Sequence, residues 1–230
     1  MWFEHVTLGT VAVSPDATEA REAVERARRT AALMAGWTGP GATSDGHPVS
    51  ILANVQDGSA ALAARETPAE GVGLFPTELC FLNRETEPSV ADQAQINGEV
   101  LEAFSGQKVV IRRRVGQAAE VRPSSGRGEP DWGVRGMRIA QGNPGLVERQ
   151  LEAIASAAAQ TGNPPWVLAP MIATADEANH FAAHARSYGL TPGVMIEVPP
   201  AALLADRILE YVEFLSIGTN DLAAGAVVEP

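Results

Sequence analysis

Two acidic residues stand at the ends of two apolar runs in the C-terminal part of the chain. Glu197 lies near the end of the run Val194–Val198, and Asp221 follows the run Phe214–Gly218. Continuous apolar runs joined by a short helix are typical of parallel strands covered on both faces. Because the carboxyl ends of parallel strands lie at one edge of a sheet, we expect both carboxylates to converge there. Oxygen ligands of this kind suit a hard divalent cation such as Mg²⁺.

Each of these polar residues also has an ordinary structural interpretation. Asp221 could cap the helix that follows it, and Glu197 could be a solvated residue at a strand end. Asn220 is equally typical of a turn. A shared cation predicts instead that the side chains of Glu197 and Asp221 face each other.

Arginine provides the candidate anion-binding group. Arg112 follows the apolar run Val109–Ile111, and a cation within a buried strand requires an anionic partner, either a bound phosphate or an internal carboxylate. The net charge of −11 argues against nucleic acid and anionic membrane surfaces as partners. A bound anion would therefore need a local cluster of arginines.

The elements that would position these residues alternate between strand and helix. We predict an N-terminal strand over Val6–Val13, a linker helix over Thr18–Ala35 and then about six strand–helix units. The strands of these units are Val49–Val55, Gly71–Phe75, Lys108–Val115, Trp166–Ile172, Val194–Val198 and Phe214–Gly218. Such alternation predicts an α/β fold with a parallel sheet and right-handed crossovers. Candidate site residues at strand C-termini favour a (β/α)₈ TIM-type barrel, incomplete with about six of its units.

The first and last strands of an incomplete barrel are open edges. Unpaired edges associate readily, so we expect a homodimer or another association through the open sheet edges. The chain has one cysteine, Cys80, which permits no intrachain disulfide and fits a cytoplasmic location. No signal peptide is evident, and no stretch approaches the roughly 20 apolar residues of a membrane span, so no membrane partner is expected.

Six segments carry a resemblance to a known family. In chain order they are GVGLFPTELCFLNRET, KVVIRRRVGQ, GVRGMRIA, APMIATADEANHF, VMIEVPPAA and FLSIGTNDL. Together they resemble the phosphoenolpyruvate-utilising barrel enzymes, in particular the phosphoenolpyruvate–protein phosphotransferase, enzyme I of the bacterial sugar phosphotransferase system. The resemblance implies a phosphoenolpyruvate-binding barrel over residues 48–230. Residues 1–47 would be the remnant of a swivelling phosphohistidine domain and a linker helix.

The resemblance also implies roles for individual residues. Glu197 and Asp221 match the family's ligands for Mg²⁺. Arg112 and Arg135 match arginines that hold the phosphate of phosphoenolpyruvate, and Asn220 and Asp221 belong to the same substrate-binding set. The phosphoryl group would pass to a protein histidine and then to a histidine-containing phosphocarrier protein.

Several positions depart from the family pattern. Pro76 stands where the family has an arginine, and Glu120 stands where it has a lysine. The family's acceptor histidine and its cysteine proton donor have no counterpart in the sequence, so we assign no catalytic residue and expect no complete turnover by this chain alone. Charge-assisted hydrogen bonds contribute roughly 1.5–3 kcal/mol each, so these losses predict weaker phosphate binding.

Two other functions stay open. A metal-dependent pyruvate-type aldolase also places a glutamate and an aspartate at consecutive strand ends, and it would explain losing phosphate ligands while keeping metal ligands. Metal-dependent proton exchange at the methyl group of pyruvate would identify it. A non-catalytic barrel remnant would instead bind a partner through its open edges, and it would bind neither Mg²⁺ nor phosphoenolpyruvate.

Overall fold

The structure, a computed structural model, describes residues 17–77, 87–113 and 145–226. Its helices are α1 (Ala17–Ala35), α2 (Gly58–Arg65), α3 (Val90–Ala103), α4 (Leu146–Thr161), α5 (Ala175–Ser187), α6 (Pro199–Leu203), α7 (Ala205–Leu209) and α8 (Thr219–Ala226). Its strands are β1 (Gly41–Ala42), β2 (Pro48–Val49), β3 (Ala53–Asn54), β4 (Gly71–Pro76), β5 (Lys108–Arg112), β6 (Trp166–Ala169), β7 (Thr191–Ile196) and β8 (Phe214–Ile217).

Strands β3 to β8 form one six-stranded sheet in which neighbours in sequence are neighbours in space. Every pair in this sheet is parallel, so a helical crossover joins each strand to the next. A doubly wound sheet would reverse its strand order at a switch point, whereas this order never reverses. The sheet therefore curls in one direction, as half of a barrel does. The predicted α/β barrel architecture with about six units is confirmed.

Alternation of side chains along each strand divides the core into two parts. The outer face packs against the helices and forms the larger cluster, which includes Val109, Ile111, Val167, Leu101, Leu151 and Phe181. The inner face carries a smaller cluster of Val110, Leu168 and Met195, against which Leu74, Trp166 and Phe214 pack. The helix layer thus stabilises the sheet from outside and leaves the inner face to the candidate site.

The loop between β6 and α5 is held by the first turn of that helix. Thr174 begins the helix in a capping box with Glu177, whose carboxylate also accepts a hydrogen bond from the backbone N–H of Ala173 at 2.7 Å. The loop that carries Met171 is therefore anchored at its C-terminal end. It lies directly beyond the carboxyl end of β6.

The first predicted strand is wrong in its extent. Only Ala53–Asn54 joins the main sheet, while Val49 pairs with Gly41 in a separate antiparallel ladder between β1 and β2. The side chains of Thr43 and Asp45 hydrogen-bond to each other in the turn of this hairpin. The predicted division of the chain after residue 47 falls inside the hairpin, and the two-domain organisation stays a prediction.

Other predicted strands extend too far at their carboxyl ends. Strand β5 ends at Arg112 rather than at Val115, so Arg112 is the last residue of its strand and not a central one. Strand β6 ends at Ala169 because Pro170 has no N–H for the ladder. The residues predicted as strand ends thus lie just beyond the sheet, where their side chains are less constrained by pairing.

The predicted N-terminal strand over residues 6–13 lies outside the described residues. The helix predicted over Thr18–Ala35 is confirmed as α1, whose described side chains are exposed, and its role as a linker stays a prediction. Within the ranges 17–77, 87–113 and 145–226, no helix combines the length and the apolar character that crossing a membrane requires.

Candidate functional site

Arg112 lies at the carboxyl end of the sheet, on the face turned away from the helices. Because Val110 belongs to the inner cluster, alternation along β5 turns Arg112 onto the same face. Its neighbours in register are Leu168 of β6 and Pro76 of β4. The guanidinium group of Arg112 therefore lies at the carboxyl end of the sheet, next to the apolar cluster of the inner face.

Glu197 is the first residue after β7, and its side chain is buried, with 2% exposed. Its Oε1 accepts a hydrogen bond of 2.6 Å from the backbone N–H of Met171 in the loop after β6. Met171 has a φ of 56°, in the left-handed region that non-glycine residues rarely adopt. The alternative of a solvated glutamate at a strand end is therefore wrong.

Asp221 lies in the first turn of α8, one element beyond the strand end where it was expected. Its side chain is exposed, and it lies close enough to Glu197 for its negative charge to raise the pKa of the Glu197 carboxyl group. An acidic residue in the first turn also suits the positive end of the helix dipole. The two carboxylates thus meet, but one comes from a strand end and the other from a helix start.

The electrostatic setting of Glu197 disfavours its charged form. Burial is the main cause that raises the pKa of Glu197 above its usual value, and the nearby charge of Asp221 adds to the effect. The hydrogen bond from Met171 and the positive charge of Arg112 act in the opposite direction. Arg112 is thus close enough to Glu197 to influence its protonation. A divalent cation between the carboxylates would favour the charged form in the same way.

Gly218, which follows β8, approaches the Glu197 side chain closely. A Cβ atom at this position would lie 2.8 Å from Cβ of Glu197 and 3.2 Å from its Oε2. Sequence reasoning did not single out Gly218 or Met171. A glycine directly after a buried strand does indicate a close backbone approach, whereas a methionine in the left-handed region has no such signal.

Arg113, the residue after Arg112, is buried on the opposite face of the sheet and is not part of the candidate site. It is 1% exposed, and alternation turns it toward the helix layer, where its Cζ lies 5.8 Å from the ring centroid of Phe181. The two adjacent arginines therefore face opposite sides of the sheet. Only Arg112 faces the carboxylates.

Of the other candidates, Asn220 and Pro76 adjoin residues of this cluster, and the rest lie outside the described residues. Asn220 is in the first turn of α8 and is exposed. Arg135, Glu120 and Cys80 lie outside the described residues, so their predicted positions stay predictions. Pro76 is described, and it ends β4 beside Arg112.

The donor set of the cluster fits Mg²⁺ in type and number. Glu197 and Asp221 offer carboxylate oxygens, and Mg²⁺ commonly binds to one or two carboxylates while it keeps waters or substrate phosphates as further ligands. Across the described ranges there is no group of three or more His, Cys, Asp or Glu residues that could hold a metal. A fully protein-built cage of such residues is therefore absent from that part of the chain.

The sequence of this chain is similar to those of known phosphotransferases. It is 45% identical over 226 residues to a phosphoenolpyruvate-protein phosphotransferase of Streptomyces coelicolor, covering 94% of this chain and 40% of that protein. It is 38% identical over 198 residues to a multiphosphoryl transfer protein of Rhodobacter capsulatus, covering 82% of this chain and 24% of the relative. A phosphoenolpyruvate-protein phosphotransferase of Bacillus subtilis is 30% identical over 234 residues, covering 93% of this chain and 41% of that protein.

The chain thus spans well under half the length of these relatives. Residues 32–227 match the family described as PEP-utilising enzyme, PEP-binding domain. This range includes β3 to β8, Arg112, Glu197 and Asp221. The chain therefore belongs to the phosphoenolpyruvate-utilising enzymes, and within them it is similar to the phosphoenolpyruvate–protein phosphotransferases.

Proposed function

We propose that this domain binds phosphoenolpyruvate together with Mg²⁺ and positions the phosphoryl group for transfer to a protein histidine. The observation that carries the proposal is the meeting of Arg112, Glu197 and Asp221 at one end of the sheet. Phosphoryl transfer depends on positioning and charge neutralisation, for which a guanidinium and a carboxylate-bound cation are the usual groups. Membership of the phosphoenolpyruvate-utilising family supports the choice of substrate.

Each residue has a separate role in this proposal. Glu197 and Asp221 hold the cation, which when bound supplies charge neutralisation to the phosphate. Arg112 contacts the phosphate oxygens, and Arg135 and Asn220 add further contacts. During transfer the phosphorus–oxygen bond to the enol breaks, a phosphorus–nitrogen bond to histidine forms, and the released enolpyruvate takes up a proton to become pyruvate.

The acceptor and its partners follow from the same proposal. The phosphoryl group passes to a histidine on a swivelling domain, of which residues 1–47 would be a part, and from there to a histidine-containing phosphocarrier protein in the cytoplasm. Pro76 removes one positive charge next to Arg112, so this chain binds phosphoenolpyruvate more weakly than a domain with an arginine at that position.

Calorimetric titration with phosphoenolpyruvate in the presence of Mg²⁺ tests this function. Replacing Arg112 by alanine should weaken binding by roughly 10- to 100-fold, because it removes charge-assisted hydrogen bonds. The Arg65→Ala variant, which loses an exposed arginine in the last turn of α2, should bind like the wild type. Equal affinity in the Arg112→Ala variant and the wild type would overturn the proposal. Metal-dependent proton exchange into pyruvate, without phosphoenolpyruvate binding, would favour an aldolase instead.

We also propose that two copies of the chain associate through the edge at β8. Within the described residues, β8 pairs with β7 on one side only, and Ile217 on this strand is 69% exposed. Leu203 in α6 is 84% exposed and adds apolar surface. Apolar side chains on an unpaired edge promote association.

Sedimentation velocity tests this association. The Ile217→Asp variant should shift the protein from dimer to monomer. Its matched control is Leu62→Asp, which changes a leucine in α2 that is 58% exposed and should leave the dimer intact. A monomeric wild type at all concentrations, or a dimer that Ile217→Asp leaves unchanged, would contradict the β8 interface.

A further inference from the structure

The Glu197 carboxyl group is bordered by two backbone features that come from different βα units. Oε1 accepts the hydrogen bond from the Met171 N–H at 2.6 Å, which follows β6. Gly218, which follows β8, leaves too little space for a side chain beside Glu197. Neither residue belongs to the set of predicted ligands.

The Met171 hydrogen bond depends on an unusual backbone conformation. With φ at 56°, Met171 is the one non-glycine residue with positive φ in the described part of the chain. The left-handed region costs L-residues roughly 1–2 kcal/mol, and β-branched residues avoid it most strongly. A glycine at this position would keep the N–H and the conformation without that cost, whereas a valine would oppose the conformation.

Gly218 acts by the absence of a side chain. The nearest atoms to an added Cβ would be Cβ of Glu197 at 2.8 Å and then, at 3.2 Å each, Oε2 of Glu197 and Cγ of Met195. An alanine at this position must therefore displace Glu197 or strand β8. Displacement of Glu197 would move both carboxylate oxygens, taking Oε1 away from the Met171 N–H and shifting Oε2, the oxygen left for a cation.

We propose that Met171, through its backbone N–H, and Gly218, through its missing side chain, are positioning residues that hold the Glu197 carboxyl group toward Asp221. The functional meaning of this positioning rests on the proposed function, because a carboxylate fixed in this way is preorganised to bind a cation. Outer partners of metal-binding carboxylates commonly influence affinity in this manner. The geometry itself does not require a bound metal.

The first test uses nuclear magnetic resonance on metal-free, ¹⁵N-labelled protein. The Met171 amide should resonate downfield and exchange slowly with solvent in the wild type. The Gly218→Ala variant should lose both properties. Gly98→Ala is the matched control, because a Cβ at that position meets only Cγ2 of Thr161 at 4.0 Å. An unchanged Met171 amide in Gly218→Ala would overturn the positioning role.

The second test measures Mn²⁺ affinity in the same proteins. Gly218→Ala and Met171→Val should bind Mn²⁺ about tenfold more weakly or worse, while Gly98→Ala and Met171→Gly keep wild-type affinity. Equal affinity in Met171→Val and Met171→Gly would overturn the role of the backbone conformation. A wild type with a protected Met171 amide but no Mn²⁺ binding would refute the cation site of the proposed function while the first test still decides the positioning.

Discussion

The buried carboxyl group of Glu197 lies close enough to the exposed carboxyl group of Asp221, at the carboxyl end of the sheet, for the charge of Asp221 to raise its pKa. Glu197 is fixed within the core, whereas Asp221 is accessible to solvent. In the proposed site, Asp221 would be the solvent-facing ligand of a cation and Glu197 the buried one. The pair is therefore open to ligands while its inner member is held by Met171.

The protonation of Glu197 makes metal-free stability depend on pH. Burial raises its pKa above the usual 4.5, so the folded protein holds this proton more tightly than the unfolded chain. The resulting stabilisation is full below pH 4.5 and is lost as pH rises through the raised pKa. We therefore expect the unfolding temperature of the wild type to fall relative to Glu197→Gln as the pH rises above 4.5. Thermal denaturation followed by circular dichroism measures this difference, and a difference independent of pH would refute it. Added Mg²⁺ should reduce the loss in the wild type only.

Restoring a positive charge at position 76 should strengthen substrate binding. Pro76 lies in register beside Arg112, so an arginine in its place would add charge-assisted hydrogen bonds to the phosphate. We expect Pro76→Arg to increase phosphoenolpyruvate affinity by roughly 10-fold or more in calorimetry. Pro76→Ala separates the added charge from the lost proline ring. If both variants bind equally well, the position has no electrostatic role.

Substitutions at the two adjacent arginines should have different effects, with Arg113 contributing to folding stability and Arg112 to phosphoenolpyruvate binding. Arg113 is 1% exposed against the helix layer, so truncating it to alanine should cost roughly 3 kcal/mol or more of unfolding free energy. Arg112 is less buried, and Arg112→Ala should lower the unfolding free energy much less while it weakens phosphoenolpyruvate binding. Urea denaturation of both variants provides the comparison. A larger stability loss in Arg112→Ala than in Arg113→Ala would reverse these roles.

The sequence was sufficient to predict the architecture because strand identity depends on local patterns. Apolar runs such as Val194–Val198 and Phe214–Gly218 mark buried strands, and alternation with helices makes them parallel. The exact ends of each strand depend on its hydrogen-bonded pairing with neighbouring strands, which the residue pattern does not reveal. Val49 pairs with Gly41 in the hairpin, where the glycine allows a close approach of the two backbones. Arg112 is the last residue of its strand, although the apolar pattern predicted a strand that continues to Val115.

The site was predictable only in part for a similar reason. A carboxylate after a buried strand can be recognised by its position, as Glu197 was. The interaction that fixes Glu197 comes from the backbone of Met171, and a backbone conformation at a methionine leaves no pattern in the residue type. The burial of Arg113 was equally hidden, since two adjacent arginines have the same composition whichever face each one takes.

The cation site is tested most directly by Mn²⁺ binding, followed by electron paramagnetic resonance, in the wild type and in Asp221→Asn. Asp206→Asn, which neutralises an exposed aspartate in the first turn of α7, is the matched control. We predict that the wild type and Asp206→Asn bind Mn²⁺ equally, while Asp221→Asn binds about tenfold more weakly or worse. Equal Mn²⁺ binding by Asp221→Asn and the wild type would contradict a cation held between Glu197 and Asp221.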